Sequence, residues 1–284
     1  MTTAKVARAV RLIMTLLLRD EEDIVRENLE YHYARGVTHV IAMDNASTDG
    51  TADILREYER EGRLTLLHES GRDYDQPRWV TRMAKLARSE HGADWVINND
   101  ADEFWWPDSG SLVDVLAAVP RRYAAVRAPR ANFLPSREED RPFYERLVYR
   151  LPASLREDGE LLRGKVCHRG RRRLFVHRGS HRVEGPFLRT MPEPPPITVL
   201  HFPRRSFAQF EQKVAIGESV FTGDHAPTKG TARALASHYA FLEGRLRDHW
   251  DSDVPTASTL PEALANGSIV EDRRLAAFFA DHPL

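Results

Sequence analysis

Asp100 and Asp102 are the residues whose types and spacing could do the most specific chemistry. At the end of a strand, residues i and i+2 point to the same side, so both carboxylates can reach one hard cation. Asn98 has the same parity. Mg²⁺ or Mn²⁺ held through one or two carboxylates keeps coordination positions for substrate phosphates. The plain alternative is an acidic loop that caps the next helix. A second group is Asp44, Asn45, Ser47 and Asp49. Its acceptors and amides could hydrogen-bond a base and ribose, with the positive end of the following helix close by, or they could simply make a turn and a cap. The third runs from Arg163 to Arg182 and carries Arg163, Lys165, Arg169, Arg171, Arg172, Arg173, Arg178 and Arg182 without an acid, with His168, His177 and His181 interleaved. Such a run suits a diphosphate or an anionic acceptor, or is a solvated charged face. Its one aromatic, Phe175, gives base stacking no support, so no nucleic-acid partner is expected. His201, at a strand end, could complete a site begun by the two aspartates or be structural. His181 and Glu184, three apart, are the candidates for a general base.

Alternating elements must position these groups. Leu12–Leu18 predicts a strand, and 21–35 a helix with Ile24, Val25, Leu29 and Tyr33 at helical spacing and Gly36 at its C-cap. Val37–Met43, Leu64–Leu67 and Asp94–Asn98 predict further strands, with helices over about 50–61 and 76–90 between them. Strand–helix alternation with short links implies an α/β fold with a mostly parallel sheet flanked by helices. Ligands of such sheets sit beyond the carboxyl ends of the strands, where the polar loops 19–23, 44–49 and 98–103 all lie. Beyond Pro107 the pattern predicts a short helix at 111–119, strands at 124–128, 173–177 and 197–202, and an irregular, charged substrate loop at 135–165. From Ser206 the chain reads helical, its longest element near 229–249. The expected division is a domain over 1–205 and a C-terminal helical extension over 206–284.

Composition narrows the function classes. Hydrophobic residues make up 42% and charged residues 29%, the balance of a globular protein and not of a disordered chain. The 41 basic and 42 acidic residues nearly cancel, against a binder that works by bulk charge. With Cys167 alone, an intrachain disulfide and a cysteine-based zinc site are excluded, and a cytoplasmic setting is expected. The apolar run 12–18 is too short for a membrane span and is followed by acids where a leader would carry small residues, so it reads as a strand, and no integral membrane segment is expected.

Met14-Thr15-Leu16-Leu17-Leu18-Arg19-Asp20-Glu21-Glu22-Asp23, Gly36-Val37, Asp44 to Thr51 and Asn99-Asp100-Ala101-Asp102-Glu103-Phe104 together resemble a family 2-type glycosyltransferase. The likeness is to the subgroup with an N-E-x-x turn after the first strand and a D-A-D-E-F block, with Asp20 where that turn has asparagine. It is strong over about 11–107, weaker through Gly179-Ser180-His181 and His201-Phe202-Pro203, and absent after about 220. The resemblance implies a GT-A fold, a UDP- or GDP-linked sugar donor, Mn²⁺ or Mg²⁺, and transfer to an acceptor hydroxyl with inversion. Leu18, Arg19, Glu21, Asp44, Asn45, Ser47, Asn99 and Asp100 would then hold the nucleotide, Asp100, Asp102 and His201 the metal, and His181 or Glu184 the acceptor proton. Glu138-Glu139-Asp140 is an acidic cluster between the aspartates and these histidines. The acceptor would be a small molecule or a glycan, and the C-terminal helices would cover it or build a homodimer. Two competing readings are a nucleotidyltransferase or nucleotide-sugar pyrophosphorylase, which usually has a Gly-rich basic loop after the first strand, and a non-catalytic scaffold that binds a glycan or a partner.

Overall fold

A computed structural model of the chain describes residues 10–69, 75–152, 163–221 and 232–284. In chain order its elements are β1 (Leu12–Leu18), α1 (Val25–Ala34), β2 (Val37–Asp44), α2 (Thr51–Arg60), β3 (Leu64–His68), α3 (Gln76–Ser89), β4 (Trp95–Asn99), β5 (Glu103–Pro107), α4 (Leu112–Ala118) and β6 (Ala125–Ala128). There follow β7 (Arg130–Asn132), α5 (Phe143–Arg146), β8 (Tyr149–Arg150), β9 (Lys165–Arg169), β10 (Phe175–Val176), β11 (Val183–Glu184), β12 (Ile197–His201), α6 (Phe207–Phe221), α7 (Ala232–Leu242), α8 (Leu246–Ser252), α9 (Leu260–Ala265), β13 (Val270–Glu271) and α10 (Arg274–Asp281). Up to β6 these are the expected strands and helices, each within a few residues, except β5, which the sequence reading did not anticipate. The reason is local: Gly36 and Gly62 follow helices, Pro77 stands in the first turn of α3, and Ser111 and Asp114 close a capping box on α4.

The chain divides into two compact units, residues 1–130 with 162–200 and residues 131–161 with 201–284. A cut at 205/206 differs from this in leaving 131–161 and 201–205 with the sheet.

The first unit holds a six-stranded sheet in the order β3-β2-β1-β4-β9-β6. Strands β1 to β4 run parallel, and β9 is antiparallel to both β4 and β6. The class is mixed α/β with a mainly parallel central sheet flanked by helices, as expected. Helix α3 covers one face: Trp79, Val80, Met83, Ala84 and Ala87 pack on Ile13, Ile41, Met43, Val96 and Val166, apolar area whose removal from water drives the docking. Register then levels the loops. Leu18 pairs with Asp44 and Asp44 with His68, while Leu16 pairs with Asn99, after which the chain turns, Glu103 N–H donating to Asp100 O at 3.1 Å.

In the second unit, Phe210, Ala240, Leu246, Trp250 and Val254 form an apolar cluster among helices α6 to α8. Phe133 stacks on Phe202 and β8 pairs with β13. Two sequence expectations change here. The stretch 135–165 is not irregular throughout, since α5 and β8 lie in it, although its residues 153–162 fall outside the described ones. The longest described helix is α6, with 15 residues, because the stretch expected to be longest is broken at Gly244 into α7 and α8.

Candidate active site

The loops after β1 and β2 are sewn to each other. Asn45 N–H donates to Leu18 O at 3.0 Å, and Ser47 N–H donates to Asp44 Oδ1 at 3.2 Å, folding the chain back in an Asx turn. Asp20 takes a positive φ of 52°, a conformation that Asp and Asn tolerate best among residues with a side chain. Its N–H donates to Ser47 Oγ, and its Oδ1 accepts from Thr48 N–H at 2.6 Å and from Thr48 Oγ1 at 3.2 Å. Glu21 N–H donates to Thr51 Oγ1, and Glu22 N–H to Asp49 Oδ2. Arg19 pairs with Asp20 at 3.4 Å. Leu18, Arg19, Glu21, Asp44, Asn45 and Ser47 are thus brought to one edge, with His68 Nδ1 3.9 Å from Asp44 Oδ2.

The loop 98–103 is held from beneath by helix α1. Asn28 Nδ2 donates to Ala101 O and Glu103 O, each at 2.8 Å, and its Oδ1 accepts from Asn99 Nδ2 at 3.1 Å. Asn99 Oδ1 accepts from Trp105 Nε1 at 3.0 Å. The Asn99 side chain is buried in this framework, so it shapes the loop from within. His32, one turn after Asn28, accepts Trp105 N–H at Nε2, and burial holds its pKa down to about 4. Asn28 and His32 were missed at the level of sequence. A signal existed, since their i, i+4 spacing puts two polar residues on one helix face.

A buried lysine and the acids around it complete the floor. Two residues beyond Cys167, which pairs with Ile97, strand β9 reaches Lys165, level with Asn99. On its other side Lys165 pairs with Ala128, two residues before Arg130. The Lys165 ammonium contacts Asp100 Oδ2 and lies 3.1 Å from Glu103 Oε1, while Arg130 Nη1 is 3.8 Å from the same oxygen. Burial works against the Lys165 charge, but Asp100 and Glu103 outweigh it and raise the pKa above the ordinary lysine value. Glu103 is pushed up to about 8, first by burial and then by Asp100 and Asp102, against the pull of Lys165. Neither of its carboxylate oxygens has a hydrogen-bond partner. Asp102 is buried beside this group, and the side chain of Asp100 is 34% exposed.

His181 joins the same cluster. Its Nδ1 is 3.0 Å from Gly164 O, and its pKa is lowered to about 4, first by burial and next by the nearby Lys165 charge. Two glycines permit this approach. A Cβ on Gly164 would lie 2.2 Å from Ala128 O, and one on Gly179, at φ +67°, would lie 2.8 Å from the His181 ring. Glu184 is placed otherwise: it is exposed on the β10–β11 hairpin and paired with Arg182 and His177. The basic run is therefore not one cationic face. Lys165 and His168 are buried, Arg169 donates to Tyr123 O and Val119 O, Arg163 is exposed just before β9, and Arg171, Arg172, Arg173, Arg178 and Arg182 lie in and next to the hairpin. In the second unit, His201 Nδ1 bonds Asn132 Oδ1 at 2.8 Å. Glu138 pairs with Arg141, and Glu139 accepts Phe207 N–H at the start of α6.

Asp100 and Asp102 offer two hard oxygen donors at the end of β4, which fits Mg²⁺ or Mn²⁺, cations that take one or two carboxylates and leave the remaining positions to water and phosphate. Among the described residues no three His, Cys, Asp or Glu side chains are gathered around one metal-sized point. None of the described helices is long and apolar enough to cross a membrane.

A comparison with curated protein sequences gives no match. Among solved structures, TarS of S. aureus in complex with UDP-GlcNAc is similar with a TM-score of 0.43 and 12% identity, over 90% of this chain and 79% of that one. The mannosyltransferase PcManGT from Pyrobaculum calidifontis, in complex with GDP-Man and Mn²⁺, is similar with a TM-score of 0.39 and 18% identity, over 96% and 79%. Glucosyl-3-phosphoglycerate synthase from Mycobacterium tuberculosis, with Mn²⁺ and UDP, gives 0.36 and 12%, over 87% and 82%. The matching family model is not the family 2 type suggested by the motifs: residues 14–125, which carry all three polar loops of the sheet edge, match glycosyltransferase family 92.

Proposed function

We propose that this chain transfers a sugar from a nucleoside-diphosphate sugar to an acceptor hydroxyl, on a GT-A type of sheet and with inversion at the anomeric carbon. The observation that carries this reading is the glycosyltransferase family match over residues 14–125, the segment that brings Asp44, Asp100 and Asp102 to one edge. Asp44, Asn45 and Ser47, with the Leu18–Glu21 turn, would receive the base and ribose. Asp100 and Asp102 would hold Mg²⁺ or Mn²⁺ against the diphosphate, and that cation would neutralise the negative charge growing on the leaving group.

His181 is the favoured base. With Nδ1–H directed at Gly164 O, Nε2 keeps its lone pair, and a pKa of about 4 leaves the ring neutral at neutral pH but a weaker proton acceptor than an ordinary imidazole. In the proposed step Nε2 takes the acceptor hydroxyl proton and the acceptor oxygen bonds to the anomeric carbon. The bond from that carbon to the diphosphate oxygen breaks, and its electron pair leaves with the diphosphate. Glu184 would need to leave Arg182 and His177 to do the same. A cytoplasmic setting and a small-molecule or glycan acceptor belong to this proposal.

Calorimetric titration with UDP and GDP, with and without Mn²⁺, tests it. Metal-dependent binding of one nucleotide, weakened at least tenfold in Asp102→Ala, is expected. No binding of either near millimolar concentration refutes the site and favours a non-catalytic scaffold.

A further inference from the structure

The floor beneath Asp100 and Asp102 contains a cation of its own. Lys165 is 1% exposed, so its ammonium has almost no water to solvate it and depends on the carboxylates it touches, Asp100 and Glu103. The loop 98–103 supplies three acids, and both oxygens of Glu103 are buried without a hydrogen bond. Without a dication, the acids of this short turn repel one another, which is part of what raises the Glu103 pKa, and the ammonium beside them offsets that repulsion. A dication arriving at Asp100 meets the same ammonium at short range, in a setting where water screens little.

We propose that Lys165 is a positioning residue that serves as a built-in counter-cation. It holds the Asp100 carboxylate when no metal is bound, releases it when Mg²⁺ or Mn²⁺ arrives, and so limits metal affinity while keeping the loop folded without metal. The register of β9 fixes it there, level with Asn99 on one side and with Ala128 on the other. This rests on the reading of Asp100 and Asp102 as the metal ligands. An ion pair that only stabilises the fold would lower stability when removed and leave metal affinity where it was.

Titration with Mn²⁺ alone, followed by the electron paramagnetic resonance of free Mn²⁺, separates the two. Lys165→Gln should bind Mn²⁺ at least tenfold more tightly than the unmodified chain, and Lys165→Arg, which keeps the charge, should match the latter. The gain should vanish in Lys165→Gln with Asp102→Ala. The metal-free melting temperature of Lys165→Gln should fall and Mn²⁺ should restore it. Equal or weaker Mn²⁺ binding by Lys165→Gln overturns the role of the lysine while leaving sugar transfer standing. Absence of Mn²⁺ binding in both proteins overturns the metal assignment, and the nucleotide titration then reports independently on the donor site. Should Lys165→Gln not fold, ¹⁵N-lysine spectra of the unmodified chain decide: the protected ammonium signal of Lys165 should move on addition of Mg²⁺, and a signal unchanged at saturation overturns the proposal.

Discussion

Two polar regions at the same sheet edge are built on opposite principles. The loops 18–23 and 44–51 are joined by short side chains that bond to backbone N–H groups, as Asp20 does to Thr48, Thr51 to Glu21 and Asp44 to Ser47. Several of these partners touch solvent, and each bond is worth roughly 1 kcal/mol net. The loop 98–103 stands on buried groups: Asn28, His32 and Asn99 in a hydrogen-bonded frame, and Glu103 beside the buried Lys165 ammonium and the part-buried Arg130. There, a lost partner leaves a desolvated charge or carbonyl behind, at a cost several times larger. The first region is redundant and the second is not.

The largest expected effect therefore falls on the floor. Asn28→Leu keeps the branched shape but strips two buried carbonyls of their donor, and should cost about 4 kcal/mol in urea unfolding. A loss below about 1 kcal/mol would mean that α1 does not hold this loop.

Acid should act on the same side of the comparison. His32 and His168 are fully buried and their pKa values are lowered from 6.5 to about 4. The unfolded chain then binds more protons than the folded one between those values. The stability they contribute is complete above about 6.5 and is lost as pH falls toward 4, about 1 kcal/mol for each ring between pH 7 and 5.5. A urea midpoint that stays level over that range contradicts the burial of both imidazoles.

Next comes Gly164→Ala, whose Cβ must push back the Ala128 carbonyl. About 2 kcal/mol of destabilisation is expected, together with a displaced His181 ring visible in its NMR shifts. Full stability with an unshifted ring would show that β6 and β9 yield easily there. The smallest effect should be Asp20→Asn. An amide oxygen still accepts from Thr48 and tolerates the positive φ, and only the half-exposed pairing with Arg19 disappears. A change beyond about 0.5 kcal/mol would give the zipped loops a sensitivity to charge that their construction does not suggest.

These differences follow what a linear chain can reveal. Turn and cap residues act on neighbours a few positions away, so the segments Asp44 to Gly50 and Ser111 to Asp114 announce their loops, and apolar periodicity announces β1 to β4 and α1 to α3. Strand parity does not carry through to Asp100 and Asp102, because β4 ends at Asn99 and the two aspartates lie in a turn closed by Glu103 N–H on Asp100 O. Lys165 reads only as one member of a basic run, and His168 as another, because burial is decided by which strand lies beside β4. Glu184 and His181 look alike as bases three residues apart, until packing exposes one beside Arg182 and encloses the other beside Gly164. By itself the sequence determined the alternating elements and the loops they end in. The tertiary structure alone decided which charges leave water, and that depends on contacts between residues 65 positions apart, as in Lys165 with Asp100, which no local pattern encodes.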